Sequence, residues 1–341
     1  ARLEALCADL GVPLLATQPI SRKRYIWRAA RPRRWPLTVS ESLRLGGGLL
    51  RHLGHWRPQP RETVTQWGER VLGKGATHYA LAPVLSGIYA GDAQQLSAGL
   101  IFNRRSNSKD EPQPKPQRRG TVAPRAGMQQ LLDALADYLQ SHEVEFVFNQ
   151  AATVSANQPT VICTAVTQAA ELLREIAPTA SEALRRVELL PLLTATVFYE
   201  RQPRQPQGFG CPFPRGEGFR ARGVLFNDCI FAGRSEVRSE TWILGGALDR
   251  TVLQLSDDEL RALLKAEHAL LVGTDEEPLS LHITSWPQAL PHYTLDLEQA
   301  LADLPPLPKG VALAGNYLGQ IGLAKLAERA ARVAREITES L

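Results

Sequence analysis

Apolar positions recur at helical spacing near both ends of the chain and form strand-like runs in its middle. In the opening residues ARLEALCADL the apolar side chains share one face, which predicts a helix from Arg2 to Leu10 that ends at Gly11. Near the other end, LAGNYLGQIGLAKLAERAARVAR predicts a strand, a turn rich in glycine and a long amphipathic helix. Within residues 192–246 the runs LLTATVFYE, GVLFN and TWILGG predict an antiparallel or mixed sheet.

The segments between these landmarks add more helices and strands. Over residues 37–100 the pattern is mainly helical, and we expect breaks at Gly46–Gly48 and at the proline-rich RPQPRE. Gly127 opens a helix, and a further helix is expected near Ala169–Leu173. Between those two helices, VEFVF and TVICTAV indicate strands.

Two further signals complete the outline of the fold. Ser256 with Glu259 three residues later forms a capping box, which predicts a helix start. The stretch NRRSNSKDEPQPKPQRR at residues 103–119 is polar and rich in proline, which predicts a mobile loop and a natural boundary. The mixture of helices and strands predicts an α/β (α+β mixed) fold, and 341 residues with 44% hydrophobic composition are enough for two domains.

Composition narrows the class of protein. No apolar run approaches the roughly 18 residues of a membrane-spanning helix, and the first residues lack the layout of a signal peptide, so we expect a cytoplasmic location. The four cysteines form no CxxC pair, which indicates neither a zinc site nor a disulfide framework, and we expect no metal. Neither a catalytic triad nor a general base can be assembled from the motifs, so the catalytic residues stay unknown.

The net charge of +4 is unevenly distributed. In RKRYIWRAARPRR, which runs from Arg22 to Arg34, seven of thirteen residues are cationic. Such a patch attracts anionic lipid headgroups, polyanions or carboxylated ligands, whereas the alternative is a solvated basic loop. Nucleic acid is not an expected partner, because no motif that reads nucleic acid accompanies the patch. The oligomeric state stays open.

A series of motifs occurs in a characteristic order along nearly the whole chain. They are TVTQWGERVLG, LSGIYAGDAQQLS, RAGMQQLLDALADYL, GFGCPFP, GVLFNDCIF, SWPQALPHYTL and AGNYLGQIGL. Together they resemble the protoporphyrinogen oxidases of haem biosynthesis, within the flavin-containing amine oxidase superfamily. The resemblance implies an FAD-dependent, two-domain amine-oxidase-like fold. The family's GxGxxG segment would precede Arg2, so we expect the N-terminal dinucleotide-binding unit to be missing from this chain and FAD to bind weakly to these residues alone.

The resemblance also implies how the domains are divided. Residues 1–120 would form a mainly helical region that faces substrate and membrane, and residues 121–191 the remaining middle part of the FAD-binding domain. Residues 192–309 would form the substrate-binding sheet domain, and residues 310–341 the return to the FAD-binding domain.

Several positions match residues that the family uses to hold its flavin. Three of them lie in the final turn, beside the isoalloxazine ring, and another matches the adenine end. A tryptophan beside the flavin is common in bacterial relatives, but ordinary core packing and a purely structural glycine turn are the alternatives. The implied cofactor-binding residues are Ala151, Trp286, Gly315, Ile321, Gly322 and Leu323.

Four other positions match the family's substrate pocket. Arg24 corresponds to the arginine that pairs with a substrate propionate, for which a planar guanidinium is well suited. Gly87, Phe231 and Ile243 match residues that lie against the tetrapyrrole. The alternatives are that Arg24 is one more cation of a solvated patch and that the two apolar residues belong to the core. Pro212 departs from the family, whose members commonly have leucine there.

The implied function is FAD-dependent oxidation of protoporphyrinogen IX to protoporphyrin IX. The porphyrinogen would be the substrate, and an anionic membrane surface would be a partner at the inner face of the cytoplasmic membrane. Two alternatives stay open. One is a cofactor-free porphyrin-binding or scaffold protein, and the other is a flavin oxidase that acts on another apolar substrate.

Overall fold

The computed structural model describes residues 2–102, 120–155 and 158–340 and shows a mixed α/β protein. The loop predicted at residues 103–119 lies outside the described residues. The helices of the described chain are α1 (Arg2–Asp9), α2 (Val39–Arg51), α3 (Val64–Val71), α4 (Lys74–Ala76), α5 (Ala82–Tyr89), α6 (Ala98–Phe102), α7 (Met128–Ser141), α8 (Val166–Leu173), α9 (Pro178–Arg185), α10 (Asn227–Ile230), α11 (Asp257–Val272), α12 (Leu295–Ala302) and α13 (Leu323–Ser340). The strands are β1 (Leu14–Ala16), β2 (Ile26–Trp27), β3 (Pro32–Arg33), β4 (Val122–Pro124), β5 (Thr160–Ile162), β6 (Leu189–Tyr199), β7 (Gly210–Pro212), β8 (Gly223–Phe226), β9 (Arg238–Gly245), β10 (Ser280–Pro291) and β11 (Val311–Leu313).

Most helix signals in the sequence are confirmed, but the predicted break at Gly46–Gly48 is wrong. Helix α2 runs through all three glycines from a capping box formed by Thr38 and Glu41. A Cβ at Gly48 would lie 2.5 Å from the carbonyl oxygen of Val71. At least one glycine therefore permits close approach to the end of α3, and a helix already fixed by its cap and by packing tolerates the low helix propensity of glycine.

The strand predicted for VEFVF is also wrong. Residues 144–148 form no regular secondary structure, and their side chains are exposed. Among the described residues no neighbouring strand pairs with this segment. A strand persists only when its N–H and C=O groups find partners, so apolar composition alone is not enough.

The described residues fall into two compact units. Unit 1 is drawn from Ala1–Thr17, Arg105–Val187 and Gln299–Leu341. In it, β5 and β11 pair in parallel, and β1 pairs with β4 in antiparallel fashion. Unit 2 is drawn from Gln18–Arg104 and Glu188–Glu298. The finer domain boundaries given by the family resemblance stay a prediction.

Unit 2 is built on a five-stranded antiparallel sheet with the strand order β10-β6-β9-β8-β7. Along β6 the side chains alternate, as the period of a strand requires. Ala195 and Val197 are buried in the core, which also contains Leu260 and Leu264 of α11. Thr194 and Thr196 point to the opposite side and are only partly buried. We call this second side of the sheet the open face.

A buried ionic network lies on the core side of the sheet. Glu240 is fully buried, and its carboxylate accepts hydrogen bonds from Arg238 Nε at 2.8 Å and Trp242 Nε1 at 3.0 Å. The Nδ1 atom of His268 lies 3.1 Å from the same carboxylate, and Tyr199 stacks on the imidazole with ring centroids 3.7 Å apart. Burial opposes ionisation, but His268 and Arg238 hold the pKa of Glu240 below its ordinary value.

Candidate functional site

Two surfaces carry the residues that the sequence singled out, one in each unit. In unit 1 the relevant element is the connection from β11 to α13, which has the predicted strand, turn and helix. The N–H of Ala314 donates to the carbonyl of Ile162 at 2.9 Å, so the carboxyl ends of β11 and β5 lie side by side. In α/β proteins such ends are where ligands commonly bind.

The turn itself depends on a glycine. A Cβ at Gly315 would lie 2.2 Å from the ring of Tyr317, so only glycine lets that buried ring fold back over the turn. Arg329 of α13 donates to the carbonyl of Leu313 at 2.8 and 3.2 Å, which fixes the helix against the strand. Burial lowers the pKa of Arg329.

The end of this turn has the features that a flavin ring requires. Gly322 is exposed, and a Cβ there would meet no atom within 4 Å, so its backbone is accessible. At the start of α13 the N–H groups of Lys325 and Leu326 donate to the carbonyl of Gly322 at 2.8 and 3.0 Å, which leaves the first two N–H groups of the helix without a partner within it. The buried Oε1 atom of Gln320 and the buried hydroxyl of Tyr317 also find no hydrogen-bond partner among the described residues. Unsatisfied polar atoms and open backbone fit a planar, hydrogen-bonding heterocycle.

The structure places the other predicted cofactor residues as follows. Ile321 is half-buried in the same turn, directly before Gly322. Ala151 is exposed in an irregular part of unit 1. Trp286 lies in unit 2, on β10, where half of its side chain is exposed, so it is not an ordinary core residue. The cofactor contacts of all three stay predictions.

In unit 2 the open face brings together residues from neighbouring strands. Thr194 pairs with Ile243 on one side and with Thr284 on the other, and paired residues project to the same face. The indole N–H of Trp286 donates to the hydroxyl of Thr194 at 3.3 Å. Residues that are directly paired from strand to strand form a row across the sheet. Pro212 pairs with Gly223, which pairs with Ile243, so Pro212, where the family commonly has leucine, lies in the same row as Ile243.

A polar cluster occupies the next row of the open face. The side-chain amide of Asn227 donates to the hydroxyl of Thr241 at 2.8 Å and to that of Ser239 at 3.3 Å. The hydroxyls of Thr241 and Thr196 lie 3.3 Å apart across β9 and β6. Sequence reasoning missed this cluster, because only the strand register brings the residues together.

The end of α5 is tied to the sheet beside Ile243. Arg222 is buried, and it donates to the carbonyl of Gly245 and to the hydroxyl of Ser86. Burial lowers the pKa of Arg222 to about 10. Gly87 follows Ser86 and is exposed, with no atom within 4 Å of an added Cβ. Nothing in the sequence around Arg222 indicated this anchoring role.

Arg24 is exposed and lies beside the edge strand β7 of the sheet. Its guanidinium lies 4.7 Å from the ring centroid of Phe209, and the N–H of the next residue donates to the carbonyl of Gly210 in β7 at 3.2 Å. The solvated-patch alternative does not describe every cation nearby. Arg28 forms a bidentate pair with Glu41 at 2.6 and 3.0 Å and therefore has a structural role.

Phe231 follows α10 and is half-buried, with the guanidinium of Arg234 5.8 Å from its ring centroid. Ile243 packs beside a small cluster that includes Ala90 and Leu192. The roles of Arg24, Phe231 and Ile243 against a tetrapyrrole stay predictions.

Other features contribute little to the candidate site. Unit 2 also contains a cavity of about 150 Å³ beside α5, lined by charged side chains such as Lys74 and Asp92, which is small for a drug-sized organic ligand. Within the described ranges, no group of three His, Cys, Asp or Glu residues could hold a metal ion. No helix of the described chain is long and apolar enough to cross a bilayer.

Comparison with known proteins identifies the family. The model of the flavin containing amine oxidoreductases matches residues 5–337. Protoporphyrinogen oxidase 1 of Arabidopsis thaliana is 24% identical over 88% of this chain, and coproporphyrinogen III oxidase of Mycobacterium bovis is 23% identical over 81%. The chain spans about two thirds of the length of these relatives, namely 67% and 65%.

Solved structures share the fold. A protein from Exiguobacterium sp. 255-15, provisionally named a protoporphyrinogen oxidase, superposes with a TM-score of 0.74 at 16% identity, over 99% of this chain and 85% of its own. A putrescine oxidase superposes with a TM-score of 0.70 at 12% identity. The predicted amine-oxidase-like fold is thereby confirmed. The chain belongs to the flavin containing amine oxidoreductase family and is an oxidoreductase of that family.

Proposed function

We propose that this protein oxidises protoporphyrinogen IX to protoporphyrin IX with FAD as its cofactor. The observation that carries the proposal is the open face of unit 2. There Ile243 and Pro212 lie in one row of paired residues, the half-exposed indole of Trp286 lies beside that row, and the exposed cation Arg24 lies next to the edge strand β7. Such a surface suits a flat apolar ring that carries a carboxylate. The relatives named for porphyrinogen oxidation support this substrate class.

Each unit has a separate task in this proposal. In unit 1 the accessible backbone from Ile321 to Leu323, together with the unsatisfied Oε1 of Gln320, would hold the flavin ring. When bound, FAD supplies a ring that accepts a hydride. In unit 2 Arg24 would pair with a propionate, while Ile243 and Phe231 would orient the apolar ring. The binding energy of the macrocycle then serves mainly to position it.

Arg24→Ala tests the substrate contact. If Arg24 pairs with a propionate in a largely desolvated site, its truncation should weaken protoporphyrin IX binding by about 2–5 kcal/mol. Arg22→Ala is the matched control, because Arg22 is, like Arg24, an exposed cation of the same segment but has no assigned substrate contact, so its loss should cost less than about 1 kcal/mol. Binding is followed by titration with protoporphyrin IX, and oxidation by the appearance of porphyrin fluorescence in protein supplied with FAD. Equal, small effects of both variants would refute the assignment of Arg24.

We also propose that α2 attaches the protein to the inner face of the cytoplasmic membrane. The helix and its flanks expose large apolar side chains beside exposed arginines, which suits an interfacial position. The exposed apolar residues are Trp35, Val39, Leu43, Leu49, Leu50, Leu53 and Trp56, and the exposed arginines include Arg31, Arg34, Arg44, Arg51 and Arg57.

Vesicle flotation tests this attachment. The protein should float with vesicles that contain phosphatidylglycerol more than with pure phosphatidylcholine, and added salt should reduce the difference because it screens the arginines. Leu50→Glu should abolish flotation, since it places a charge at the interface. An exposed residue of unit 1, Leu132, gives the control Leu132→Glu. Equal flotation with both kinds of vesicle would refute the electrostatic part of the proposal.

A further inference from the structure

In the polar cluster Asn227–Thr241–Thr196, one hydroxyl hydrogen makes no hydrogen bond within the cluster. Thr241 Oγ1 accepts from Asn227, and of the two threonine hydroxyls 3.3 Å apart one donates to the other. Each hydroxyl carries one hydrogen, so the second hydroxyl still has a hydrogen to donate. Neither hydroxyl makes a further hydrogen bond among the described residues, although His282 is paired with Thr196 on the same face. Both threonines are partly buried on the open face, so this donor faces the surface on which we place the substrate.

The register fixes how far this donor lies from the edge strand β7, beside which Arg24 lies. Gly210, Leu225 and Thr241 are directly paired across β7, β8 and β9, and the loop that carries Arg24 is bonded to Gly210. Two strand spacings separate Gly210 from Thr241, which corresponds to about 10 Å. The apolar side chain of Leu225 lies between them on the same face. Beyond Thr241 the row continues through Thr196 to His282 of β10, which is exposed. Arg24 thus lies near the β7 end of the row, and the hydroxyl pair lies two strands farther along with His282 beside it.

We infer that the Asn227–Thr241–Thr196 cluster is a second polar anchor, which binds a carboxylate on the edge of the ring opposite the one held by Arg24. This inference rests on the proposed function, because it takes the open face to be the substrate surface. Coproporphyrin III carries carboxylates on both sides of its ring, whereas the carboxylates of protoporphyrin IX lie on one side. The cluster therefore adds a contact for ligands with carboxylates on both sides of the ring, beyond the contact with Arg24 that protoporphyrinogen IX would make, and it affects specificity rather than chemistry.

Asn227 has a supporting role in this anchor. Its amide donates to both Thr241 and Ser239 and so occupies one acceptor site of the Thr241 hydroxyl. The remaining hydrogen of the threonine pair cannot bond to this NH2 group, because that group is itself a donor. A charge-assisted hydrogen bond from a hydroxyl to a carboxylate is stronger than one between neutral groups. A single donor can therefore produce measurable selectivity.

The test compares two stable porphyrins as probes. Protoporphyrin IX and coproporphyrin III are titrated into the protein while the quenching of tryptophan fluorescence is followed. Thr241→Val keeps the shape and the β-branch but removes the hydroxyl. We expect it to lower the affinity for coproporphyrin III relative to protoporphyrin IX roughly tenfold. Thr241→Ser should restore the wild-type ratio, and Thr167→Val on the exposed surface of α8 should not change it.

The ratio of the two affinities separates the possible outcomes. A general loss of packing lowers both affinities and leaves their ratio unchanged, which would overturn the inference and leave the proposed function standing. Wild-type protein that binds neither porphyrin would overturn both. If Thr241→Val fails to fold, Thr196→Val removes the other hydroxyl of the pair and is expected to shift the ratio in the same direction.

Discussion

Replacing Glu267 by glutamine is expected to change how the stability of the protein depends on pH. Glu267 lies on α11 with only 4% of its surface exposed. Its carboxylate accepts hydrogen bonds from the backbone N–H groups of Arg220 and Ala221, the latter at 3.2 Å. Burial raises the pKa of Glu267 from an ordinary value of 4.5 to about 7, and the two backbone donors only partly oppose that rise.

The direction in which stability changes with pH follows from which state of the protein holds the proton on Glu267. Between pH 4.5 and about 7 the folded protein keeps a proton on Glu267 that the unfolded chain has already released. The stability that this group contributes is complete below the unfolded pKa and is lost as the pH rises through the folded pKa. One pKa unit corresponds to about 1.4 kcal/mol, so the whole window is worth about 3 kcal/mol.

The Glu267→Gln side chain cannot ionise, but its carbonyl oxygen can still accept from the Arg220 and Ala221 N–H groups. The free energy of unfolding is measured by urea denaturation at several pH values between about 5 and 8. Relative to wild type, the variant should gain about 2–3 kcal/mol across this range. Glu171→Gln is the control, because that carboxylate is exposed and should add little. Parallel pH profiles for wild type and Glu267→Gln would refute the reasoning.

Two other substitutions probe the backbone and the buried ionic network. Gly246→Ala should destabilise the protein by more than Gly233→Ala. Both glycines have a φ of +71°, but only at Gly246 would an added Cβ meet the carbonyl oxygen of Ala90, at 2.2 Å. Thermal denaturation of the two variants measures the difference in stability, and equal losses would contradict the close contact. Glu240→Ala should cost about 3–5 kcal/mol in urea denaturation, because it leaves the charge of Arg238 buried and without its nearest carboxylate. A loss below about 1 kcal/mol would show that water reaches the network.

Local signals in the sequence determined much of the secondary structure. The capping box at Ser256 and Glu259 forms as predicted, because its hydrogen bonds join residues three apart and need no tertiary contact. Gly11 ends α1 with φ +66, a conformation that glycine adopts without strain. The alternation along β6 likewise determined which residues project to the open face, since a strand has a period of two.

Other properties depended on contacts between distant segments. VEFVF has the composition of a strand but lacks a partner strand in the described chain, and Gly48 lies inside a helix because α3 packs against it. The pairing of Thr241 with Thr196 and with Leu225 is set by the register of three strands, to which residues far apart in sequence contribute. The pKa of Glu267 depends on burial, which local sequence does not specify. The sequence thus determined the elements and the family motifs, whereas tertiary structure decided which donors, acceptors and charges lie close enough to interact.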